Sequence, residues 1–162
     1  MSVQHTENSI KDGRLRQKGI IPPTDWGDLE QVRAVKKQEM GAECTAHIYA
    51  GVEVGGKQYS MTEHDQTELM AQVQTIKEGA AAVPYHANGE LCRLYPAEEF
   101  IAIANAATAH VFYHRPYCNH LNVWIMRATV KQVDKIEYGS ELPNDLAESM
   151  AALLAAASGE SA

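Results

Sequence analysis

The sequence predicts an α+β fold, in which two β-hairpins form a small antiparallel sheet packed against four to five helices. Gly55-Gly56 and Asn88-Gly89 each lie between short stretches of alternating residues, and such pairs allow the positive φ angles of tight hairpin turns. Along most of the remaining chain, apolar residues recur at steps of three and four. That spacing is typical of one buried face of a helix.

The first helix is predicted to begin near Thr24 or Asp25, both good N-caps, and to end at Gly51. Its inward face carries Leu29, Val32, Lys36, Met40, Cys44 and either Ile48 or His47. Gly41 weakens the middle of this helix by ~1 kcal/mol relative to alanine, so the helix could break there.

The first hairpin should pair Val52 with Tyr59, because a two-residue turn at Gly55-Gly56 fixes that register. Its predicted buried face consists of Val52, Val54, Tyr59 and Met61. A two-residue turn at Asn88-Gly89 predicts the second buried face, made of Val83, Tyr85, Cys92 and Leu94. Pro84 suits an edge strand because it lacks a backbone donor.

The later helices follow from caps and apolar spacing. Thr62 should cap a helix that ends near Gly79, and its apolar face carries Leu69, Met70, Val73 and Ile76. Pro96 should be the first residue of the next helix, whose buried face carries Phe100, Ile101, Ala104, Ala107 and Val111.

The end of this helical run is less regular, because Pro116 predicts a break or a kink near residues 113–115. A turn is expected at residues 138–140, and a last helix should start at Pro143, Asn144 and Asp145, with Leu146, Met150, Leu153 and Leu154 inward.

Charge divides the chain into an N-terminal extended arm, residues 1–24, and a single domain, residues 25–157, with residues 158–162 as a frayed end. The arm carries four basic and two acidic side chains, a net charge of +2, whereas residues 25–162 carry a net charge of −9. An acidic domain repels phosphate backbones, so nucleic-acid binding is disfavoured. The arm either contacts an acidic partner or is a solvated tail.

The cysteines and the apolar runs indicate the compartment. No apolar run approaches the ~20 residues that span a bilayer, and the N-terminus lacks the apolar stretch of a signal peptide. Cys44, Cys92 and Cys118 are an odd number and form no CxxC pair. We therefore expect synthesis and folding in the cytoplasm, with buried free thiols.

One stretch could carry chemistry. His110, His114 and Cys118 lie at steps of four, with His120 nearby, as ligands on one side of a helix would. The first and last lie ~12 Å apart along the axis and Pro116 disturbs the register, so packing around a kink is favoured over a metal site.

A thiol nucleophile is a second reading of this stretch. Cys118 has His114 one turn away and Asn119 beside it, but such catalytic groups usually meet across a fold. Glu98 and Glu99 suit the first turn of a helix, and helical spacing indicates core positions for Tyr113, Tyr117 and Trp124. We assign no catalytic residue, no metal ligand and no cofactor-binding residue.

Three stretches resemble a small family of unknown molecular function found in tailed bacteriophages and prophages. They are Gly51 to Tyr59 with Asp65-Gln66, Val83 to Glu90, and Thr108 to Asn122. The resemblance covers about residues 26–130, and family members are typically encoded among tail-fibre and baseplate genes. It implies a structural or assembly role and no catalytic residues.

The resulting expectation is a non-enzymatic protein-binding component of a phage tail, made in the host cytoplasm and located in the virion. Its expected partners are other tail proteins, reached through residues 1–24, with several copies in a symmetric assembly. Two alternatives remain open: a tail-fibre assembly chaperone that leaves before maturation, and a metal- or thiol-dependent enzyme.

Overall fold

The structure, a computed structural model, describes residues 28–159. The predicted arm at residues 1–24 and the predicted helix start at Thr24 or Asp25 lie outside the described residues, as do residues 160–162. The helix of residues 29–50 has Asp28 before its first turn, where the carboxylate accepts from the backbone N–H groups of Glu30 and Gln31 at 3.0 and 3.4 Å. Asp28 therefore caps this helix.

The described chain contains five helices and two two-stranded antiparallel sheets, which confirms the α+β prediction. The elements are α1 (Leu29–Ala50), β1 (Val52–Val54), β2 (Lys57–Tyr59), α2 (Glu63–Lys77), β3 (Ala82–Tyr85), β4 (Arg93–Pro96), α3 (Ala97–Arg127), α4 (Val130–Lys135) and α5 (Asn144–Ala157). No helix in this part of the chain is both long enough and apolar enough to cross a bilayer.

The described residues fall into two compact units. One contains residues 28–44 and 115–159, and the other contains residues 45–114. Each unit has its own hydrophobic core. The prediction of one domain over residues 25–157 stays a prediction.

The first hairpin has the predicted register, with Val52 opposite Tyr59 and Val54 opposite Lys57. Tyr59 is buried, whereas Glu53 on the other face is exposed. Gly51 ends α1 with φ +77°, and a Cβ atom there would lie 1.8 Å from the carbonyl oxygen of Tyr59. Glycine is therefore required where the helix turns into the hairpin.

The predicted register of the second hairpin was wrong by one residue. Tyr85 pairs with Arg93 instead of Cys92, and Val83 pairs with Tyr95 instead of Leu94. Successive strand residues point to opposite faces, so this shift buries Tyr95 and exposes Leu94 and Cys92. The Asn88-Gly89 turn is present, with Glu90 N–H bonded to the carbonyl of Ala87, but the strands separate before they reach it.

The two hairpins form two separate sheets, not the one shared sheet that was expected. Asn88 connects them: its backbone N–H donates to the carbonyl of Gln58 at 2.8 Å, and its side-chain oxygen accepts from Ser60 N–H at 3.0 Å. Aromatic side chains fill the core beneath, where the rings of Tyr85 and Phe100 meet edge to face at 5.2 Å.

The first unit is organised around α1, α3, α4 and α5. Its core contains Val32, Met40, Tyr117, Leu121, Ile125, Ala128, Val133, Ile136 and Met150. Two charged side chains of α1 are also fully buried there, with Lys36 Nζ 3.0 Å from Glu39 Oε2 and donating to the carbonyl of Ile136 at 3.0 Å. The loop at residues 138–140 is held by the Tyr117 hydroxyl, which donates to the carbonyl of Ser140 at 2.7 Å.

α1 is not broken at Gly41, and of the two forms predicted around Pro116, two helices or one kinked helix, the structure has one helix. α1 runs through Gly41, and α3 is one helix of 31 residues that includes Pro116. The carbonyl of Pro116 accepts from Nδ1 of His120 at 2.7 Å. Pro96 closes β4 and α3 begins at Ala97, one residue later than predicted.

Candidate functional site

The site begins with the N-terminus of α2, which is fixed by a capping box. Thr62 accepts from the N–H of Asp65 at 3.2 Å, and the Asp65 carboxylate accepts from the N–H of Thr62 at 2.9 Å and from the hydroxyl of Ser60 at 2.8 Å. Burial tends to raise the pKa of Asp65, but the hydrogen bonds from Thr62 and Ser60 outweigh it and hold the pKa below its ordinary value. The cap fixes where α2 starts and therefore which of its side chains face α3.

Between α2 and α3 lies an apolar groove of about 160 Å³. Its lining residues, to which we refer as the α2–α3 groove, are Met61, Gln66, Leu69, Met70, Ala107, Thr108, Val111 and Phe112. The floor is closed by buried Met61, Leu69 and Ala107. On the rim, Met70 is 71% exposed and Phe112 is 55% exposed.

The groove has few polar side chains, and none of them forms its floor. The amide of Gln66 donates to the carbonyl of Met61 at 2.9 Å, so its donor is engaged within the unit. The other lining side chains are aliphatic or aromatic, apart from the hydroxyl of Thr108. Such a surface can bind an apolar side chain, but it offers no nucleophile or acid–base pair.

The helical spacing predicts Met70 and Val111 on buried helix faces. The structure instead exposes Met70 and leaves Val111 only partly buried in the groove. These side chains are exposed because the apolar stripe on each helix is wider than the surface that the neighbouring helix covers. The signal in the sequence was that apolar residues stand side by side on these helices, as at Leu69-Met70 and Val111-Phe112, but their spacing could not say which of them lie outside the core.

A cluster of three histidines lies in the same unit. The ring centroids of His110 and His114 are 4.5 Å apart, and those of His47 and His114 are 5.9 Å apart. His110 Nε2 lies 2.9 Å from the carbonyl oxygen of His47 and 3.3 Å from that of Ile48. Because a carbonyl only accepts, His110 donates here and satisfies carbonyls in the last turn of α1.

The proposed ligand set is not assembled. Cys118 is bonded to Cys44, with their Cα atoms 6.1 Å apart, so it is neither a thiolate ligand nor a nucleophile in this structure. His120 has both ring nitrogens engaged, with Pro116 and with Ser149. Within residues 28–159, no three His, Cys, Asp or Glu side chains are placed to hold a metal ion.

The cysteine prediction was wrong in two ways. Cys44 and Cys118 form a disulfide, and Cys92, predicted to be buried, is exposed. The sequence could not indicate the pairing because the partners are 74 positions apart on two different helices. Of the aromatics predicted to be core, Tyr117 is buried and Trp124 packs against the core, but Tyr113 is 49% exposed.

The comparisons with known proteins identify a family. A family model described as a domain of unknown function, DUF4376, matches residues 31–138, about two thirds of the chain. The chain belongs to the DUF4376 family. No curated protein and no solved structure gives a significant match.

The DUF4376 match extends from α1 to the loop after α4 and therefore includes every residue of the α2–α3 groove, the histidine cluster and the disulfide. α5 and the N-terminal residues up to Glu30 lie beyond it.

The histidine cluster of this DUF4376 chain makes stability depend on pH. Burial lowers the pKa of His114 below 6.5, and the positive charges of His110 and His47 lower it further. The stability that depends on neutral His114 is complete above pH 6.5 and is lost as the pH falls through the lower folded-state pKa. Urea unfolding midpoints should therefore drop between about pH 8 and about pH 5, and His114→Gln should reduce that drop.

His64→Gln, at an exposed position on α2, is the matched control for this prediction. Equal pH profiles for the two variants would contradict it.

Proposed function

We propose that this chain is a non-enzymatic, protein-binding component of a bacteriophage tail, in the tail-fibre or baseplate region, and that several copies are retained in the virion. The resemblance of the two hairpin segments to proteins of tailed phages supplies the setting. The observation that carries the binding role is the α2–α3 groove with its exposed rim of Met70 and Phe112. Large apolar side chains around a cleft are typical of protein-docking surfaces.

The size of the groove favours a protein partner over a small-molecule ligand. Ligand sites usually have volumes of ~300–1,000 Å³, and the groove has about 160 Å³. A void of ~150 Å³ accepts one benzene-sized group, which corresponds to one or two apolar side chains of a partner. The hydroxyl of Thr108 would hydrogen-bond to the partner's backbone, while Leu69 and Met61 contact the inserted side chain.

The disulfide favours a virion component over an assembly chaperone. Disulfides persist in oxidising surroundings, including virion surfaces, and are rare in the cytosol. A chaperone that acts only in the host cytoplasm would keep Cys44 and Cys118 reduced, whereas a part of the released particle would carry them as the disulfide seen here. Peptide mapping of purified particles without reductant should recover the Cys44–Cys118 link.

The docking role is tested by Met70→Lys in the encoding phage. Because Met70 is 71% exposed, the variant should fold with an unchanged melting temperature, but it should be strongly depleted from purified particles. Met126→Lys is the matched control, since Met126 is 53% exposed and lies outside the groove. Normal incorporation of Met70→Lys would exclude the groove as the docking site.

The same particles separate the remaining alternatives. If the wild-type protein is present during assembly but absent from finished particles, the chaperone alternative is correct. Elemental analysis of purified protein tests the metal-dependent enzyme, which requires a stoichiometric metal. Cys118→Ser tests the thiol enzyme, and Cys44→Ser, which removes the same disulfide, is its control. A thiol enzyme would lose its activity completely in Cys118→Ser and keep activity in Cys44→Ser.

A further inference from the structure

We propose that the outer edge of β4, the edge that faces away from β3, pairs with the same edge of a second copy of this chain. Two hairpins would then form one four-stranded antiparallel sheet about a two-fold axis at Leu94. This surface is separate from the α2–α3 groove, and the proposal does not rest on the proposed function. The hydrogen-bond pattern of the hairpin, its exposed apolar face and the charges beside the axis support it.

The hydrogen-bond pattern of the second hairpin shows which backbone groups of β4 point outward. In an antiparallel pair, residues that exchange hydrogen bonds alternate with residues that do not. Ala97 N–H donates to the carbonyl of Ala81, directly opposite, at 2.9 Å. Leu94 lies three pairs further along, opposite Pro84, which has no N–H group to exchange. The Leu94–Pro84 pair is therefore of the non-bonded kind, and both backbone polar groups of Leu94 point away from β3.

The two edges of this hairpin differ. On β3, Pro84 lacks an N–H group and its carbonyl accepts from the side-chain amide of Gln72 at 3.1 Å, so that edge is closed. On β4, Leu94 keeps its outward N–H group, and within residues 28–159 only β3 is paired with this strand. The carbonyl of Leu94 accepts from the guanidinium of Arg93 at 3.2 Å in an exposed position, and a carbonyl can accept a second bond. Such an edge is a template for another strand.

The outward face of the hairpin is apolar. Leu94 and Pro84 lie opposite each other on it, next to the opposed pair of Pro96 and half-buried Ala82. Leu94 is 66% exposed, and Leu91, two residues before β4, is 92% exposed. A solvated face of an antiparallel sheet is normally polar. Pairing about the axis would place the two Leu94 side chains side by side on this face and remove part of their surface from water.

The outer edge of β4 is complementary to itself. Leu94 offers one donor and one acceptor, so two copies related by a two-fold axis at this residue exchange both bonds. Arg93 then lies opposite Tyr95 of the second copy, because the two positions are equally far from the axis. The guanidinium of Arg93 lies 3.6 Å from the centre of its own Tyr95 ring and forms an ion pair with Glu99. Each copy therefore brings a cation and its anion to the axis, and the charges alternate across it.

Cysteine trapping in the full-length chain tests the pairing. The Cα atoms of a hydrogen-bonded antiparallel pair are ~5.5 Å apart, within the ~4.4–6.8 Å that a disulfide spans. In a Cys92→Ser background, Leu94→Cys should therefore give a disulfide-linked dimer under mild oxidation. Leu91→Cys is the matched control, because two copies of residue 91 are six residue steps, or ~20 Å, apart in this register. Its dimer yield should stay at the level of random collision.

Sedimentation equilibrium of the Cys92→Ser protein measures the same contact without a crosslink. One short strand buries less than the ~800 Å² per partner of a standard interface, so the mean mass should rise from monomer towards dimer only at high concentration. Leu94→Pro removes the outward N–H group and takes no bond from the β3–β4 ladder, and Leu94→Lys places two like charges at the axis. Both variants should abolish the rise, whereas Met70→Lys in the α2–α3 groove should retain it.

Three results would overturn the proposal. Equal dimer yields from Leu94→Cys and Leu91→Cys show that the edges do not pair in this register. A mass that stays monomeric at every concentration shows that a second copy does not occupy the edge. A rise that persists in Leu94→Pro and Leu94→Lys but is lost in Met70→Lys shows that copies associate through the groove instead. None of these results changes the expected depletion of Met70→Lys from particles, so the proposed function is tested separately.

Discussion

Cys118→Ser should lower the free energy of unfolding by about 4 kcal/mol. The disulfide joins α1 to α3 across 74 positions, and closing a loop of that length restricts the unfolded chain by roughly this amount. The loop contains the entire unit of residues 45–114, so reduction releases an unusually large part of the chain. Guanidinium unfolding followed by circular dichroism, in the absence of reductant, would measure the loss.

Two controls isolate the crosslink. Cys92→Ser removes the exposed cysteine and should change stability by less than ~0.5 kcal/mol. Adding a dithiol reductant to the wild-type protein should reproduce the effect of Cys118→Ser, and adding it to the variant should have no further effect. Equal stability of wild type and Cys118→Ser without reductant would show that the two cysteines are not bonded in solution.

Lys36→Met should cost about 3–5 kcal/mol, the range for removing one partner of a buried ion pair. The ammonium group of Lys36 is fully buried, lies 3.0 Å from Glu39 Oε2 and donates to the carbonyl of Ile136. The variant keeps the carboxylate of Glu39 in the core and removes the cation beside it. Chemical unfolding of the oxidised protein at neutral pH would measure the difference.

The neighbouring lysine supplies the control. Lys37 is exposed on the same helix, and Lys37→Met should change stability by less than ~0.5 kcal/mol. Replacing both charges, as Lys36→Met with Glu39→Leu, should recover much of the loss, because a buried pair replaced by apolar side chains is often neutral. If Lys36→Met behaves like Lys37→Met, the pair is not buried in solution.

Local signals in the sequence predicted most of the elements correctly. Thr62 caps α2, Gly51 ends α1 and Gly55-Gly56 fixes the first hairpin. In each case one or two adjacent residues determine the backbone angles, so no distant contact is needed. The fold class follows from the same signals, since the hairpins and helices are separately encoded.

Predictions failed where distant contacts compete with local preference. The Asn88-Gly89 turn formed, but burial of Tyr95 at 0% exposure favours a register one residue away from the one that this turn alone would set. Of the two outcomes predicted at Pro116, a break and a kink, the break is absent: Pro116 lies inside α3, where Tyr117 and Leu121 are buried in the core. Packing of these side chains outweighs the local cost of the proline.

In the candidate site, too, some features follow from the local sequence and others only from tertiary contacts. Spacing alone placed Leu69, Met70 and Val111 on apolar helix faces, but only the position of α2 against α3 left a groove and exposed Met70. The Cys44–Cys118 disulfide and the burial of Lys36 with Glu39 were likewise decided by tertiary structure. By itself the sequence determined caps, turns and helical faces, because these depend on neighbouring residues. Which apolar, cysteine and charged side chains meet depends on contacts between distant segments, and those exist only in the folded chain.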